Sequence, residues 1–282
     1  MNNKLVSVIM SEYNTEIELL EESIKSIIEQ TYKNIELIII DDCGKNNVSE
    51  IVKKYNDSRI RVYKNKSNSG LVFSLNKALK LSNGYYVARM DTDDYSYKDR
   101  IEKEVAFIEK NNYDVIGANA YLFNGKKIWG KTNYSGIIKK EIILKGCPMI
   151  HPTVLGKKEA FEKIGGYKNF KRCEDYALWI EMFCNNYKLY NMNDVLIKYH
   201  LSIDDYKKRN IKTRKEFFKM LKIQYKKLNP RKIDYYKIII KNFIAGILPY
   251  RLIYNLHKIK FKMKGIKKNE KNDFRRMQRR ND

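Results

Sequence analysis

The sequence is poor in the residues that build metal clusters and covalent staples. Its 282 residues include four cysteines, Cys43, Cys147, Cys173 and Cys184, and three histidines, His151, His200 and His257. No cysteines stand at C-x-x-C spacing, and with so few histidines a structural zinc site is not expected. A chain of this length buries a sizeable core without disulfides, so the cysteines read as reduced thiols of a cytosolic protein. Long apolar runs are also missing. The stretch after Lys4 is six residues, too short for a signal-peptide core or a membrane span. Later runs, Ile238-Ile239-Ile240 and Phe243 to Leu248, are interrupted by Lys241, Pro249 and Arg251, short of the ~18 residues a span needs. Acid is scarce in one region only. Residues 201–282 carry 26 basic and 7 acidic side chains, against 31 and 26 in residues 1–200. Most of the net charge of +24 therefore belongs to the last third.

What is present is a strand–helix rhythm. Leu5–Met10 and Ile35–Ile40 are continuous apolar runs, as expected of strands buried on both faces. Between them Ile17, Leu20, Ile24, Ile27 and Ile28 recur at helical spacing behind Thr15 and Glu18, which match a capping box. Further along, Val48–Tyr55 reads as a helix, Arg59–Tyr63 as a strand, Leu71–Leu81 as a helix closed by Gly84, and Tyr85–Met90 as a strand. A helix at Arg100–Lys110, strands near Val115–Phe123 and Val154–Leu155, and helices near Glu159–Ile164 and Asp175–Asn185 follow. This order predicts an α/β fold with a doubly wound, mostly parallel sheet, followed by a basic helical C-terminal extension. Such sheets bind ligands outside the carboxyl ends of their strands.

The chemistry gathers at those ends. Asp91-Thr92-Asp93-Asp94 puts three carboxylates into four residues after the fourth strand. A divalent cation neutralises such a cluster, and Mg²⁺ or Mn²⁺ is commonly held by one or two carboxylates together with substrate phosphates. A solvated turn or a helix N-cap would carry the same residues, and the position at a strand end favours the cation. Asp41-Asp42 ends the second strand, and Ser11-Glu12-Tyr13-Asn14 the first, where Tyr13 offers a stacking face and Ser11 a donor. Taken singly, these pairs are ordinary turn chemistry.

Together, Val6–Asn14, Glu36–Gly44, Asn68–Asn76, Ala88–Asp94 and Glu174-Asp175 resemble, in order and spacing, the family 2 glycosyltransferases. The resemblance covers about residues 5–200 and implies the glycosyltransferase A fold. It also implies transfer of a sugar, with inversion, from a nucleotide diphospho-sugar to an acceptor hydroxyl, as in bacterial surface-polysaccharide synthesis. By position it places Ser11, Tyr13 and Asp42 around the base, Asn68 and Gly70 beneath the nucleotide, and Arg89 beside the diphosphate. Asp91 and Asp93 fall on the D-x-D motif, Asp93 as the ligand of a Mn²⁺ or Mg²⁺ cofactor and Asp91 facing the ribose, the donor sugar or the metal. Asp175 falls on the general base, while His151-Pro152-Thr153 and Gly165-Gly166-Tyr167 match a stretch shaping the acceptor side. Ser11 stands where the family frequently has proline. Trp179 either flanks the acceptor sugar or is a core aromatic.

On this basis residues 1–203 are expected to form the nucleotide-sugar-binding catalytic domain, a UDP-sugar being the favoured donor. Residues 204–282 are expected to form a separable basic tail. Apolar and aromatic residues flanked by Lys and Arg resemble helices lying in a membrane interface, so the tail is assigned to an anionic membrane surface, the alternative being a helical appendage with solvated lysines that packs on the catalytic domain. That fits a cytoplasmic protein held at the inner face of the cell membrane near a glycan or lipid-linked acceptor. Two rivals remain. A sugar nucleotidyltransferase usually opens with a Gly-rich loop after its first strand, and here no glycine precedes Gly44. A nucleic-acid-binding protein using the basic tail would leave the first 200 residues unexplained, so no nucleic acid is expected.

Overall fold

The computed structural model describes residues 3–208, 211 and 214–262. Strands β1 (Val6–Glu12), β2 (Ile35–Asp41), β3 (Ile60–Lys64) and β4 (Tyr86–Arg89) alternate with helices α1 (Ile17–Ile28), α2 (Val48–Lys53) and α3 (Leu71–Leu81). After β5 (Tyr95–Ser96) come α4 (Arg100–Asn111), β6 (Val115–Phe123), β7 (Ile128–Lys131), β8 (Gly136–Ile137) and α5 (Lys140–Ile143). Then follow β9 (Leu155–Lys157), α6 (Lys158–Lys163), α7 (Glu174–Cys184) and β10 (Leu189–His200). The chain continues through α8 (Ile203–Lys207), α9 (Lys215–Ile223), α10 (Lys232–Ile247) and α11 (Tyr250–Lys260).

The sheet runs β3-β2-β1-β4-β9-β6-β10-β5. The first four strands are mutually parallel, and β9 joins them antiparallel to β6, which pairs in parallel with β10. Alternation along β1 and β2 explains the layers. Val8, Met10, Leu37 and Ile39 pack on one face with Leu20 and Ile24 of α1, while Ile9, Ile38 and Ile40 pack on the other with Leu75 of α3 and Trp179 of α7. The strand order reverses at β1, so a crevice opens beyond the ends of β1 and β4.

Two local expectations are corrected. Helix α1 starts after Glu16 without a side-chain cap. The Thr15 hydroxyl instead hydrogen-bonds Thr92 at 2.7 Å, tying the end of β1 to the acidic turn. Gly84 is not the cap of α3, whose C-cap is Ser82. A Cβ at Gly84 would lie 2.6 Å from Ser7 N, so glycine is there for the close approach of two chains.

The boundary expected at residues 203 and 204 is not a break in packing. Met220, Leu221, Tyr225, Leu228 and Ile238 belong to the same buried cluster as Tyr176 and Trp179. Tyr225 Oη donates to Leu144 O at 2.9 Å, and the Phe217 and Tyr176 rings stack at 6.2 Å. Helix α11 closes on the other side through Tyr254 against Trp129 and Tyr206. The extension is therefore part of the body rather than a separable tail. Its last stretch, residues 263–282, lies outside the described residues. On α10, Ile233, Tyr236, Ile240, Phe243, Ile244 and Ile247 are exposed at helical spacing, and Leu252, Leu256 and Ile259 repeat the pattern on α11.

Candidate active site

The ends of β1 and β2 build the first wall. The buried Asp42 carboxylate accepts from Asn65 Nδ2 at 2.7 Å, Ser69 N at 2.8 Å and Gly70 N at 2.8 Å. It thereby fixes the loop that carries the exposed Asn68 into α3, where Gly70 has φ +85°. Most of its accepting capacity is committed to that loop. The Tyr13 ring is 50% exposed and Ser11 is half-buried, so both present side chains at the strand end. Asn14, also left-handed, accepts from Lys45 N at 2.8 Å, and a Cβ at Gly44 would come within 2.9 Å of Asn14 N. The two strand-end loops therefore interlock only because residue 44 is glycine.

The second wall is the acidic turn after β4. Arg89 is buried beneath it, donating to Asp91 Oδ1 and, at 3.4 Å, to Ile9 O. Enclosure pushes the Asp91 carboxyl up despite Arg89, and the charges of Asp93 and Asp175 push in the same direction. Asp94 is buried and accepts from His200 N at 2.6 Å, and its Oδ2 has no partner among the described residues. Burial and the charges of Asp93 and Asp91 raise it well above the carboxylate range. The His200 ring, at the end of β10, brings Nδ1 to 3.2 Å from Asp93 Oδ2, and this bond raises the imidazole. The ionisation of Asp91 and Asp94 is thus discouraged by neighbouring charge, and carboxylate and imidazole groups are donor types that a divalent cation takes. No group of three or more His, Cys, Asp or Glu among the described residues is arranged to hold a metal alone. Sequence reasoning missed His200, although it ends an apolar strand just as Asp42 and Asp91 follow theirs.

The third wall is the start of α7. Glu174 and Asp175 line, with Asp91, Cys147 and His151, a cleft of 880 Å³. Burial and the neighbouring Asp175 charge push Glu174 to about 7. Asp175 is the less buried of the two; it accepts from Tyr176 N at 2.7 Å and from Cys147 Sγ at 3.3 Å. His151 is held neutral by burial and by the Arg89 charge, and its Nε2 hydrogen-bonds Tyr167 Oη at 3.0 Å. Tyr167 is fixed in turn by Asn76, which accepts from Tyr167 N at 2.8 Å and donates to Tyr167 O at 2.9 Å. A Cβ at Gly166 would sit 2.4 Å from Asn76 Oδ1, which explains the Gly-Gly pair. Trp179 is fully buried, a core aromatic rather than a sugar platform. The cleft thus joins Asp91 to Asp175, with Leu71 marking its edge beside Gly70. Ser11, Tyr13, Asp42, Asn68, Gly70, Arg89 and Asp93 are not among its lining residues.

The arrangement combines a strand-end crevice, an acidic turn above a buried arginine, and an accessible carboxylate across a cleft. Comparison with known proteins gives the family and the fold. EpsE of Bacillus subtilis (strain 168), assigned to the glycosyltransferases, is 37% identical over 212 residues, covering 73% of this chain and 76% of that protein. WfgD of Escherichia coli, a UDP-Glc:alpha-D-GlcNAc-diphosphoundecaprenol beta-1,3-glucosyltransferase, is 31% identical over 260 residues, covering 90% of this chain and 98% of that protein. Among solved structures, S. aureus TarS superposes with a TM-score of 0.65 at 22% identity, over 85% of this chain and 42% of TarS, which establishes the glycosyltransferase A fold. A TarS fragment, residues 1–349, in complex with UDP-GlcNAc superposes with a TM-score of 0.60 at 23% identity, over 70% of this chain and 58% of the fragment. The family profile "Glycosyl transferase family 2" matches residues 7–165, more than half of the chain and, His200 aside, the first two walls, and on these grounds the chain belongs to the family 2 glycosyltransferases.

Proposed function

We propose that this glycosyltransferase moves a sugar, with inversion, from a UDP-sugar to a hydroxyl of a lipid-linked acceptor in bacterial surface-polysaccharide synthesis. The observation that carries this reading is the single cleft joining Asp91 of the acidic turn to Asp175 at the start of α7. The relationship to WfgD, whose acceptor is a lipid diphosphate sugar, supports the choice of acceptor. Tyr13 stacks on the base, while Ser11 and the loop that Asp42 holds, with Asn68 and Gly70, cradle the nucleotide. Asp91 is aimed by Arg89 at the ribose and donor sugar. Asp93, with His200 beside it and Asp91 nearby, would hold a Mn²⁺ or Mg²⁺ ion. That ion, when bound, supplies positive charge against the diphosphate. Arg89 adds a fixed cation at the same place, where negative charge grows as the leaving group departs. Asp175 takes the proton of the acceptor hydroxyl as it attacks the anomeric carbon. One base suffices for inversion, whereas retention by double displacement needs a carboxylate nucleophile as well.

No helix among the described residues is long and apolar enough to cross a membrane. The exposed apolar stripes of α10 and α11, flanked by lysines, support surface attachment of a cytoplasmic enzyme to an anionic bilayer. A panel of nucleotide sugars with a lipid-linked sugar acceptor, scored by nucleotide release with Mn²⁺ or Mg²⁺ present, tests the reading. UDP release from one donor, dependent on the acceptor, is the expected result. Release of pyrophosphate, or no turnover with any donor, refutes it.

A further inference from the structure

The cleft that begins at Asp175 does not end in the catalytic half. Its far wall is made by the C-terminal helices, with Lys241 and Ala245 of α10 and Ile253 and Lys260 of α11 among the lining residues. Lys145, Lys171 and Arg172 line it from the loops before the short helical turn His151–Thr153 and before helix α7. With Arg214, six cations therefore line one cavity. Lys145, Lys171, Arg172, Lys241 and Lys260 form no ion pair among the described residues, whereas Lys53, Lys98, Lys103 and Lys163 of the α/β half each pair with an acid. Lys241 donates to Lys145 O at 3.2 Å, and Lys260 lies over the Phe261 ring at 4.8 Å. Burial and the charge of Lys260 both lower the Lys241 ammonium. Unneutralised charge of this kind in a cavity calls for a polyanionic ligand.

We infer that Lys145, Lys171, Arg172, Lys241 and Lys260 form a subsite for the diphosphate of a lipid-linked acceptor, closed by the C-terminal helices. The donor diphosphate belongs to the acidic turn and Arg89, so this second polyanion is the acceptor's. The lipid has a way out. Ile240 and Ile244 flank Lys241 on α10 and are 55% and 45% exposed, so the same helix that offers Lys241 to the cleft offers an apolar face to the outside. A diphosphate here would sit at the membrane–water boundary, with its sugar toward Asp175 and its chain toward the stripe. The inference rests on the proposed glycosyl transfer to a lipid-linked acceptor and assigns the residues that recognise it.

The test is binding, so it does not depend on knowing the sugars. The full-length protein is first titrated with UDP and Mn²⁺, which checks the glycosyltransferase reading by itself. The UDP-saturated protein is then titrated with geranyl diphosphate, inorganic pyrophosphate and geraniol. Geranyl diphosphate should bind without displacing UDP, pyrophosphate more weakly, and geraniol not measurably. Lys241→Met and Lys260→Met should each weaken geranyl diphosphate at least about tenfold, as for loss of one charge-assisted contact. Lys241→Arg should restore it. UDP affinity should stay within about twofold in all variants, which also shows that they fold. Three results would overturn the inference: equal geranyl diphosphate affinity in wild type and variants, competition of geranyl diphosphate with UDP, or loss of anionic-vesicle binding in step with loss of geranyl diphosphate. The last would assign the lysines to bilayer headgroups instead of the cleft.

Discussion

Leu221→Ala decides whether the C-terminal helices are structural. Leu221 is 1% exposed on α9 and shares its cluster with Tyr176, Trp179 and Tyr225. Truncating a buried leucine costs about 2–5 kcal/mol, the upper end where the surroundings do not collapse into the cavity. Here the neighbours are large rings held by hydrogen bonds, Tyr225 to Leu144 O and Tyr176 to Ile143 O, so little collapse is expected. A loss of about 3 kcal/mol corresponds to a fall in Tm of roughly 6–12 °C for a domain of this size class. The matched control is Ile240→Ala on α10, at an exposed site, which should stay within about 0.5 kcal/mol of wild type. Thermal unfolding of the full chain by near-ultraviolet circular dichroism, which follows the packed aromatic rings, is the assay. By the same argument, truncation after residue 203 uncovers Tyr176 and Ile143 and should give an aggregating chain. A Leu221→Ala protein melting within 1 °C of wild type, or a truncated chain that is monomeric and binds UDP, would show that the extension is peripheral.

Asp175→Asn should lower turnover by about 10² or more with UDP affinity unchanged, the pattern of a lost general base; activity within a few-fold of wild type would move that role to another group. Asp93→Ala should abolish metal-dependent UDP binding in calorimetry and His200→Ala should weaken it, whereas affinity insensitive to EDTA and to both changes would remove the metal. For Glu36, burial works against ionisation, but bonds from Ser7, Asn83 and Arg61 outweigh it and hold the carboxyl below its ordinary value. Because the folded value is depressed, its stabilisation is present above about pH 4.5 and is lost as pH falls through the folded value. Glu36→Gln should therefore unfold at lower urea than wild type at pH 7, with the gap closing toward pH 3; a gap constant with pH refutes this. Finally, Ile240→Ser, Ile244→Ser and Ile247→Ser combined should reduce cosedimentation with anionic vesicles and leave UDP binding intact, and undiminished cosedimentation would place the contact elsewhere.

The sequence by itself determined the sheet and the positions of the acids. Runs such as Val6–Met10 and Ile35–Ile40 leave little choice but a strand buried on both faces, and a parallel sheet delivers whatever follows such strands to one edge. Asp42, Asp91 and Asp93 were expected at that edge for that reason and stand there, while Asp175 was singled out through its motif and stands at the start of α7. Local pattern did not reveal which residues share bonds across the fold. Thr15 looked like a helix cap and instead ties β1 to Thr92, a contact between residues 77 positions apart. Gly84 looked like a helix stop and instead makes room for Ser7. His200 meets Asp93 only because β10 lies at the far side of β6, and Asn76 holds Tyr167 only because α3 and the Gly165-Gly166 turn pack together. The C-terminal helices show the limit most clearly. Their composition, lysines among isoleucines and tyrosines, is the same whether a face is wet, lipid-facing or buried. Helical spacing marks that a face exists, but only the tertiary structure decided that Leu221 and Tyr225 enter the core, that Lys241 enters the cleft, and that Ile240 and Ile244 face outward.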